Sequence, residues 1–547
     1  MTKILLTYNL VIAQDTLYLS DYLERYEDFS LSTYQALQDC QSIKDRQKVL
    51  VIPPGVHDFY PNSSRQKYVR MSNNINGMKR IAFPIEGIQN LKIVGNGAEI
   101  LLHGVMMGMI VHQSFNIEVE DLYFDWQTPF YLQGEVVEVD PAAKTYTLAF
   151  LEKEQIEVAN NDLLVRRPEA TYYIGRSFWF DPETRAPIYN LERRMGRHWN
   201  PYRARHYELE DLGGNRIKVM NRIDSLPSIS MHFIAKWRNQ PNVNRVAPAI
   251  HIQDSEKVAL NGVKIFSGAG MGIIGEKSTD ISLENVQVLP NQQKGRIIST
   301  TADATHFVNC KGMVRVENCL FEASLDDGLN IHGNYATLRK RLDDFTLLAE
   351  IVHIQQKGFV FATAGDEVAI IDPSTLLPID DALQVESVKL INDSYFKIRF
   401  SEKISNVQEG FGLENLTWNA DLIFKNNVVQ RNWARGVLFK TGGKILIENN
   451  VFSTSMSGVR NWGEMNFFNE SGRVYDVTIR RNTFNNVCRV ANGKAAVVIF
   501  PQVDLEKTVA ANAYYNQNIR ITDNVFNVFN RAILDAKSVK GLIFSNN

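Results

Sequence analysis

Asp303 lies 23 residues before Asp326, and Asp327 follows directly. The first sits in Thr301-Ala-Asp-Ala-Thr-His-Phe307, the pair in Ser324-Leu-Asp-Asp-Gly-Leu-Asn-Ile-His-Gly333. Three carboxylates brought to one place repel, so one keeps a proton near neutral pH while a neighbour stays ionised. Glycoside hydrolysis needs that division: an acid for the leaving oxygen, a base for water. On spacing alone, a surface calcium site or a solvated Asp-Asp-Gly turn stays open beside this chemistry. Adjacent strand residues face opposite sides, so Gly328 must bend the chain to aim both acids into one groove. An acid and a base that hold a water between them stand roughly 6.5–9.5 Å apart. Simple stacking at about 4.8 Å is closer, so the side chains are expected to splay.

The spacing of 23 belongs to a repeat. A short alternating strand ending in Asn recurs as Ile423-Phe-Lys-Asn-Asn-Val-Val, Ile445-Leu-Ile-Glu-Asn-Asn-Val-Phe, Val477-Thr-Ile-Arg-Arg-Asn-Thr-Phe and Ile519-Arg-Ile-Thr-Asp-Asn-Val-Phe. Earlier copies start at Leu91, Ile117, Val258, Ile281 and Val314, with start-to-start intervals from 22 (423 to 445) to 33 (281 to 314). Such a period, with apolar residues alternating, is the mark of a solenoid of strands. Asn suits the left-handed backbone at each corner, and stacked Asn side chains can bond up the column. The expected architecture is all-β: a right-handed parallel β-helix carrying two small inserted β-barrels. The segments are a possible signal peptide at 1–13 and an N-terminal cap with the first coils at 14–129. A barrel follows at 130–245, then the coils with the acidic residues at 246–334. A second barrel occupies 335–418, and the C-terminal coils 419–547. A helix over 32–44 caps the open end, since bare strand edges are a liability.

A net charge of −2 among 547 residues, without a basic stripe, excludes a nucleic-acid binder and a polybasic membrane surface. No apolar run is long enough to span a bilayer. Met1-Thr2-Lys3 followed by the apolar Ile4 to Ala13 reads as a minimal export leader; the other reading is a first buried strand. The expected localisation is therefore periplasmic or secreted. Cys40, Cys310, Cys319 and Cys488 are scattered with no CxxC, which fits free buried thiols rather than zinc ligands or a disulfide frame.

Ala302-Asp303-Ala-Thr-His306-Phe, followed by Asp326-Asp327-Gly-Leu-Asn330-Ile-His332-Gly, resembles the active-site coils of glycoside hydrolase family 110, the exo-acting α-1,3-galactosidases. Also similar are Pro54-Gly55-Val-His-Asp58, Phe124-Asp125-Trp126 before Pro129, Gly268-Ala-Gly-Met-Gly272, Arg296, Trp433-Ala-Arg435-Gly436 and Asn469-Glu470-Ser471-Gly472. The resemblance spans about residues 50 to 490. It implies hydrolysis of terminal α-1,3-linked galactose with inversion, with no metal or other cofactor, and makes Asp303, Asp326 and Asp327 the catalytic carboxylates. A second resemblance, to the inverting β-helix polygalacturonases, implies Asp326 as general acid. Asp303 and Asp327 then orient and deprotonate water, and either could be the main base. The galactosidase resemblance further implies Asn330, His332 and Glu470 as hydroxyl ligands of the sugar, with Arg296 and Arg435 on its oxygens. A salt bridge in the groove wall is the other reading of each Arg. Trp462 is placed to stack on the sugar or to pack at the surface, and His306 to be buried as structure. The chain departs from the family pattern at Trp462, where a smaller residue is expected, and at Asn469, where an aromatic is expected. Both bear on aglycone preference.

Two other classes share the fold. A polysaccharide lyase needs calcium and a basic residue facing an acidic polymer, and a non-catalytic glycan-binding β-helix has no use for stacked carboxylates. The expected partner is a glycan ending in α-1,3-galactose, with no nucleic acid and no membrane span; an inserted barrel offers a surface for a homodimer.

Overall fold

The computed structural model describes residues 14–150, 155–167, 170–188, 207–221, 226–238, 245–489, 494–510, 512–529 and 531–547. The leader read at 1–13 lies outside them. Successive coils pair in parallel, and one column runs Val258, Ile281, Val314, Leu422, Ile445, Val477 and Ile519. The architecture is a right-handed parallel β-helix, the hand that parallel crossovers take. The register moves one repeat boundary. Ile423 pairs with Leu446, so that copy starts at Leu422, because Leu422 and Phe424 are the residues that point inward.

Two stacks hold the coils in step. Asn318, Asn426 and Asn449 take positive φ at the corner, where Asn is tolerated. The next residues form a ladder, buried as far as Asn524, in which Asn450 donates to Asn482, Asn482 to Asn524, and Asn524 to Asn547, each at 2.8–2.9 Å. Inside, Phe321, Phe424, Phe452, Phe484 and Phe526 stack ring on ring. The cap is helical as expected. Leu19–Tyr26 and Phe29–Ser42 lie at the N-terminal end, and Asp28 caps the second helix by accepting from Leu31 N–H. Ala36, Leu37 and Cys40 of that helix join the core of the first coils. All four cysteines are free and buried. Among the described residues no helix is long and apolar enough to cross a membrane.

The rhythm breaks twice. Between Phe115–Trp126 and Ile250–Gln253 stands an eight-stranded antiparallel sheet, from Tyr131–Asp140 to His232–Arg238 in sequence. It curls until Asn161, at one edge, bonds Tyr207 O and Leu209 N at the other. The second insertion closes fully. Leu329–Arg341, Thr346–Glu350, Tyr395–Phe400, Leu383–Leu390, Glu367–Asp372 and Gly412–Asn415 pair in that order, and the last returns to the first. Leu329–Arg341 belongs to both bodies. Its first residues pair with Val437–Lys440 in the β-helix, and Tyr335 to Thr337 pair inside the barrel.

Candidate active site

Thr305 pairs with Leu329 and Leu329 with Val437, so the column holding the acids is offset by 24 residues rather than 23. Asp303 therefore stacks on Asp327, not on Asp326, and Arg435 follows in the same column. The contacts agree: Asp327 N–H points to Asp303 Oδ1 at 3.4 Å, and Arg435 N–H donates to Asp327 Oδ1 at 2.8 Å. Asp326 stands beside this column because the chain bends at Leu325 and Asp326. Gly328 is required by close approach, since a side chain there would meet Gly436 O at 2.7 Å.

The three acids form the floor of a pocket of about 350 Å³, at the small end of ligand sites. One oxygen from each lies within 4.8 Å of the others. These oxygens lie closer than the expected acid–base gap; Asp303 and Asp327 are held at coil spacing by stacking in one column, and Asp326 stands beside them. Asp303 and Asp327 are 3% and 1% exposed, whereas the Asp326 side chain keeps 27% and faces the opening.

Their surroundings push them apart. Burial, with the charge of Asp326, raises Asp303 to about 7. Burial also raises Asp327 to about 7 against the pull of Arg435. Burial acts on Asp326 too, but Arg245, Arg435, Lys236 and Arg176 outweigh it and hold that carboxyl below its usual range. Asp326 is thus the ionised member at rest, although the polygalacturonase likeness implies an acid there; the cause is the Arg245 guanidinium, 2.9 Å from Oδ2.

The other sequence-derived residues divide. Asn330, Arg435, Trp462 and Glu470 line the pocket. Arg435 Nη2 reaches Asp327 Oδ2 at 2.5 Å, and Lys440 forms a buried ion pair with Glu470. The Trp462 ring carries the Arg460 guanidinium at 3.7 Å and stacks with Phe500 at 5.7 Å, so its faces are already engaged. His332 is buried behind the pocket lining, with Nδ1 2.7 Å from Gly333 O. Arg296 lies outside the pocket. It pairs with Asp125 at 2.6 Å and donates to Trp126 O at 2.9 Å, fastening its loop to an earlier coil. His306, read as structural, touches the floor: Nδ1 is 2.6 Å from Asp303 Oδ2. Asn469 spends its backbone on Glu464 and Tyr335, and the neighbouring Phe468 supplies the aromatic lining.

Sequence reasoning missed Arg176, Lys236 and Arg245, which line the pocket from the first insertion and its return to the β-helix. Lys236 is driven down to about 7 by burial. No coil period reaches these residues. The available signal was the cluster of basic residues flanking the insertion's aromatic strands.

The fold is similar to the A-module of a mannuronan C-5 epimerase from Azotobacter vinelandii, with TM-score 0.39, 10% identity, and 97% and 98% of the two chains covered. Residues 346–410, within the second barrel, match the family described as GLAA-B beta-barrel domain II. An α-1,3-galactosidase A of Shewanella woodyi is 30% identical over 502 residues, covering 91% of this chain and 79% of that one. An α-1,3-galactosidase B of Parabacteroides distasonis is 30% identical over 517 residues, covering 91% and 81%. One of Bacteroides fragilis is 30% identical over 539 residues, covering 92% and 85%. Sequence relationship along nearly the whole chain thus meets an acid triad in a small pocket: the chain belongs to the α-1,3-galactosidases of glycoside hydrolase family 110.

Proposed function

We propose that the protein is an exo-acting α-1,3-galactosidase that removes terminal α-1,3-linked galactose from glycans with inversion. The observation that carries this reading is the triad of Asp303, Asp326 and Asp327 on the floor of a 350 Å³ pocket, in a chain whose relatives are α-1,3-galactosidases. A pocket this small suits one terminal sugar and part of the next, not a polymer laid along a groove. Asp326, the most exposed of the three, is the one that reaches the glycosidic oxygen. Asp303 and Asp327 are buried, with oxygens engaged by His306 and Arg435. They present a bound water, rather than a carboxylate nucleophile, to the anomeric carbon. Asn330 and Glu470 line the pocket, and in this reading they bond the sugar's hydroxyls. Galactose release from a panel of α-galactosides tests the reaction, and proton NMR of the first product tests its stereochemistry: β-galactose is expected, and α-galactose would end the inverting assignment.

Export is proposed as well, on the leader-like Ile4 to Ala13. Mass spectrometry of native material should find a chain beginning near Gln14; an intact Met1 would overturn it.

A further inference from the structure

Each acid of the triad meets a different partner. Asp327 has Arg435 Nη2 at 2.5 Å and Asp326 has Arg245 Nη2 at 2.9 Å, but Asp303 Oδ2 meets the imidazole of His306, 2.6 Å from Nδ1. The line continues inward. His306 Nε2 lies 3.0 Å from His332 Nε2, and His332 Nδ1 lies 2.7 Å from the Gly333 carbonyl oxygen. Both rings are buried.

A carbonyl oxygen only accepts, so His332 Nδ1 carries the hydrogen of that bond. Burial drives both rings down to about 3, which leaves them neutral, with one N–H each. His332 Nε2 is then bare and accepts from His306 Nε2–H. His306 Nδ1 is bare in turn, and its bond to Asp303 can only be completed by a carboxyl O–H. The Asn73 amide, 2.8 Å from His306 Nε2, fits the same assignment once its oxygen faces that N–H, a half-turn that leaves its shape unchanged. The other charged groups facing this line are Asp326, Arg245 and Arg435 around the carboxyl, and Glu470 with Lys440 around the rings.

We propose that Asp303 is the carboxyl that carries the triad's proton in the resting protein, held there by a chain of fixed tautomers running from the Gly333 carbonyl through His332 and His306. The two histidines are positioning residues. The inference rests on the galactosidase reading only for the use made of the proton, and there the balance closes. Asp303 O–H passes its proton through one water to the Asp326 carboxylate, which has an oxygen within 4.8 Å. Asp326 delivers it to the glycosidic oxygen as the C1–O bond breaks. Water forms the new C1–O bond and gives its proton to ionised Asp303, which restores the starting state. Ionised Asp303 faces a bare ring nitrogen, and that repulsion makes it an avid acceptor.

The test needs no substrate. In the full-length protein near neutral pH, infrared difference spectra against Asp303→Asn should show a protonated carboxyl C=O band that the variant lacks. Nitrogen-15 NMR should show His306 protonated at Nε2 and His332 at Nδ1. His332→Phe removes one acceptor and lets the Asn73 amide turn back to donate to His306 Nε2, so His306 reverses its tautomer, Asp303 ionises and the band is lost. In that variant the alkaline limb of kcat/KM should move down by about one pH unit, and His332→Gln, which can still accept from His306, should restore both. A wild-type protein without the band, or with His306 protonated at Nδ1 alone, overturns the proposal, as does a band that survives His332→Phe. If that variant fails to fold, the wild-type spectra decide. A protein that released no galactose would leave these spectra standing, and a missing band would leave the hydrolysis standing.

Discussion

Arg245 Nη2 lies 2.9 Å from Asp326 Oδ2, so a residue on the return from the first insertion holds the most exposed acid of the β-helix. Asp326 is ionised at rest because of this contact and the other cations around it. Replacing Arg245 by Met should let its pKa rise, since an opposite charge in contact favours the ionised form. The acidic limb of kcat/KM should move up by about one pH unit. A pH profile identical to wild type would detach Arg245 from the chemistry.

Asp326→Asn separates acid catalysis from the rest of the reaction. A general acid contributes about 10²–10⁴-fold where the leaving group is poor. The variant should lose at least about 100-fold on an α-1,3-linked disaccharide and little on an activated aryl galactoside, since without the Asp326 charge Asp303 ionises more readily, whereas Asp327→Asn should depress both. Equal losses on the two substrates for Asp326→Asn would take the acid role from that residue.

Burial of Asp303 and Asp327 also affects stability. Each has a folded-state pKa of about 7, above its unfolded value. The native state therefore binds their protons more tightly, and stability falls as pH rises between about 4 and 7. An amide cannot ionise, so Asp303→Asn should melt at least about 2 °C above wild type at pH 8 while losing activity. A lower melting temperature at pH 8 would contradict the burial cost.

Arg296 and Asp125 form an ion pair with the side chains 3% and 0% exposed. Removing one partner of a buried pair costs about 3–5 kcal/mol, and here the low end applies because Asp125 keeps Lys294 at 2.6 Å. Arg296→Met should lower the melting temperature markedly, and the folded fraction should keep its KM. A raised KM in a protein of undiminished stability would return Arg296 to the substrate.

The Asn ladder gives a prediction remote from the pocket. Asn482 accepts from Asn450 and donates to Ile447 O and Asn524. Truncation to Ala strands those buried partners, each costing about 1–3 kcal/mol. Thermal unfolding of Asn482→Ala should show the loss, with kcat/KM unchanged at a temperature where the variant is folded.

The repeating strands, their Asn corners and the three acids were legible because a β-helix writes its register into one dimension: residues one coil apart are neighbours. That rule fails by one residue where it matters most. A count of 23 pairs Asp303 with Asp326, but the bend before Gly328 adds a residue and hands the stacking to Asp327. It fails altogether for Arg245 and Lys236, which an insertion folds back over the coil from a distance no period describes. His306 looked like packing because burial and catalysis both favour a neutral ring, and only the distance to Asp303 tells them apart.

Leu329–Arg341 is a single strand with two employers. Its first four residues, among them Asn330 and His332, pair with the β-helix, and its later ones are a stave of the closed second barrel. The barrel is therefore a lever fixed to the pocket without a hinge. Tilting it twists the backbone that carries His332, and fraying either body loosens the other. The pocket is thus braced by an insertion that also lends it a lining residue, Gln355.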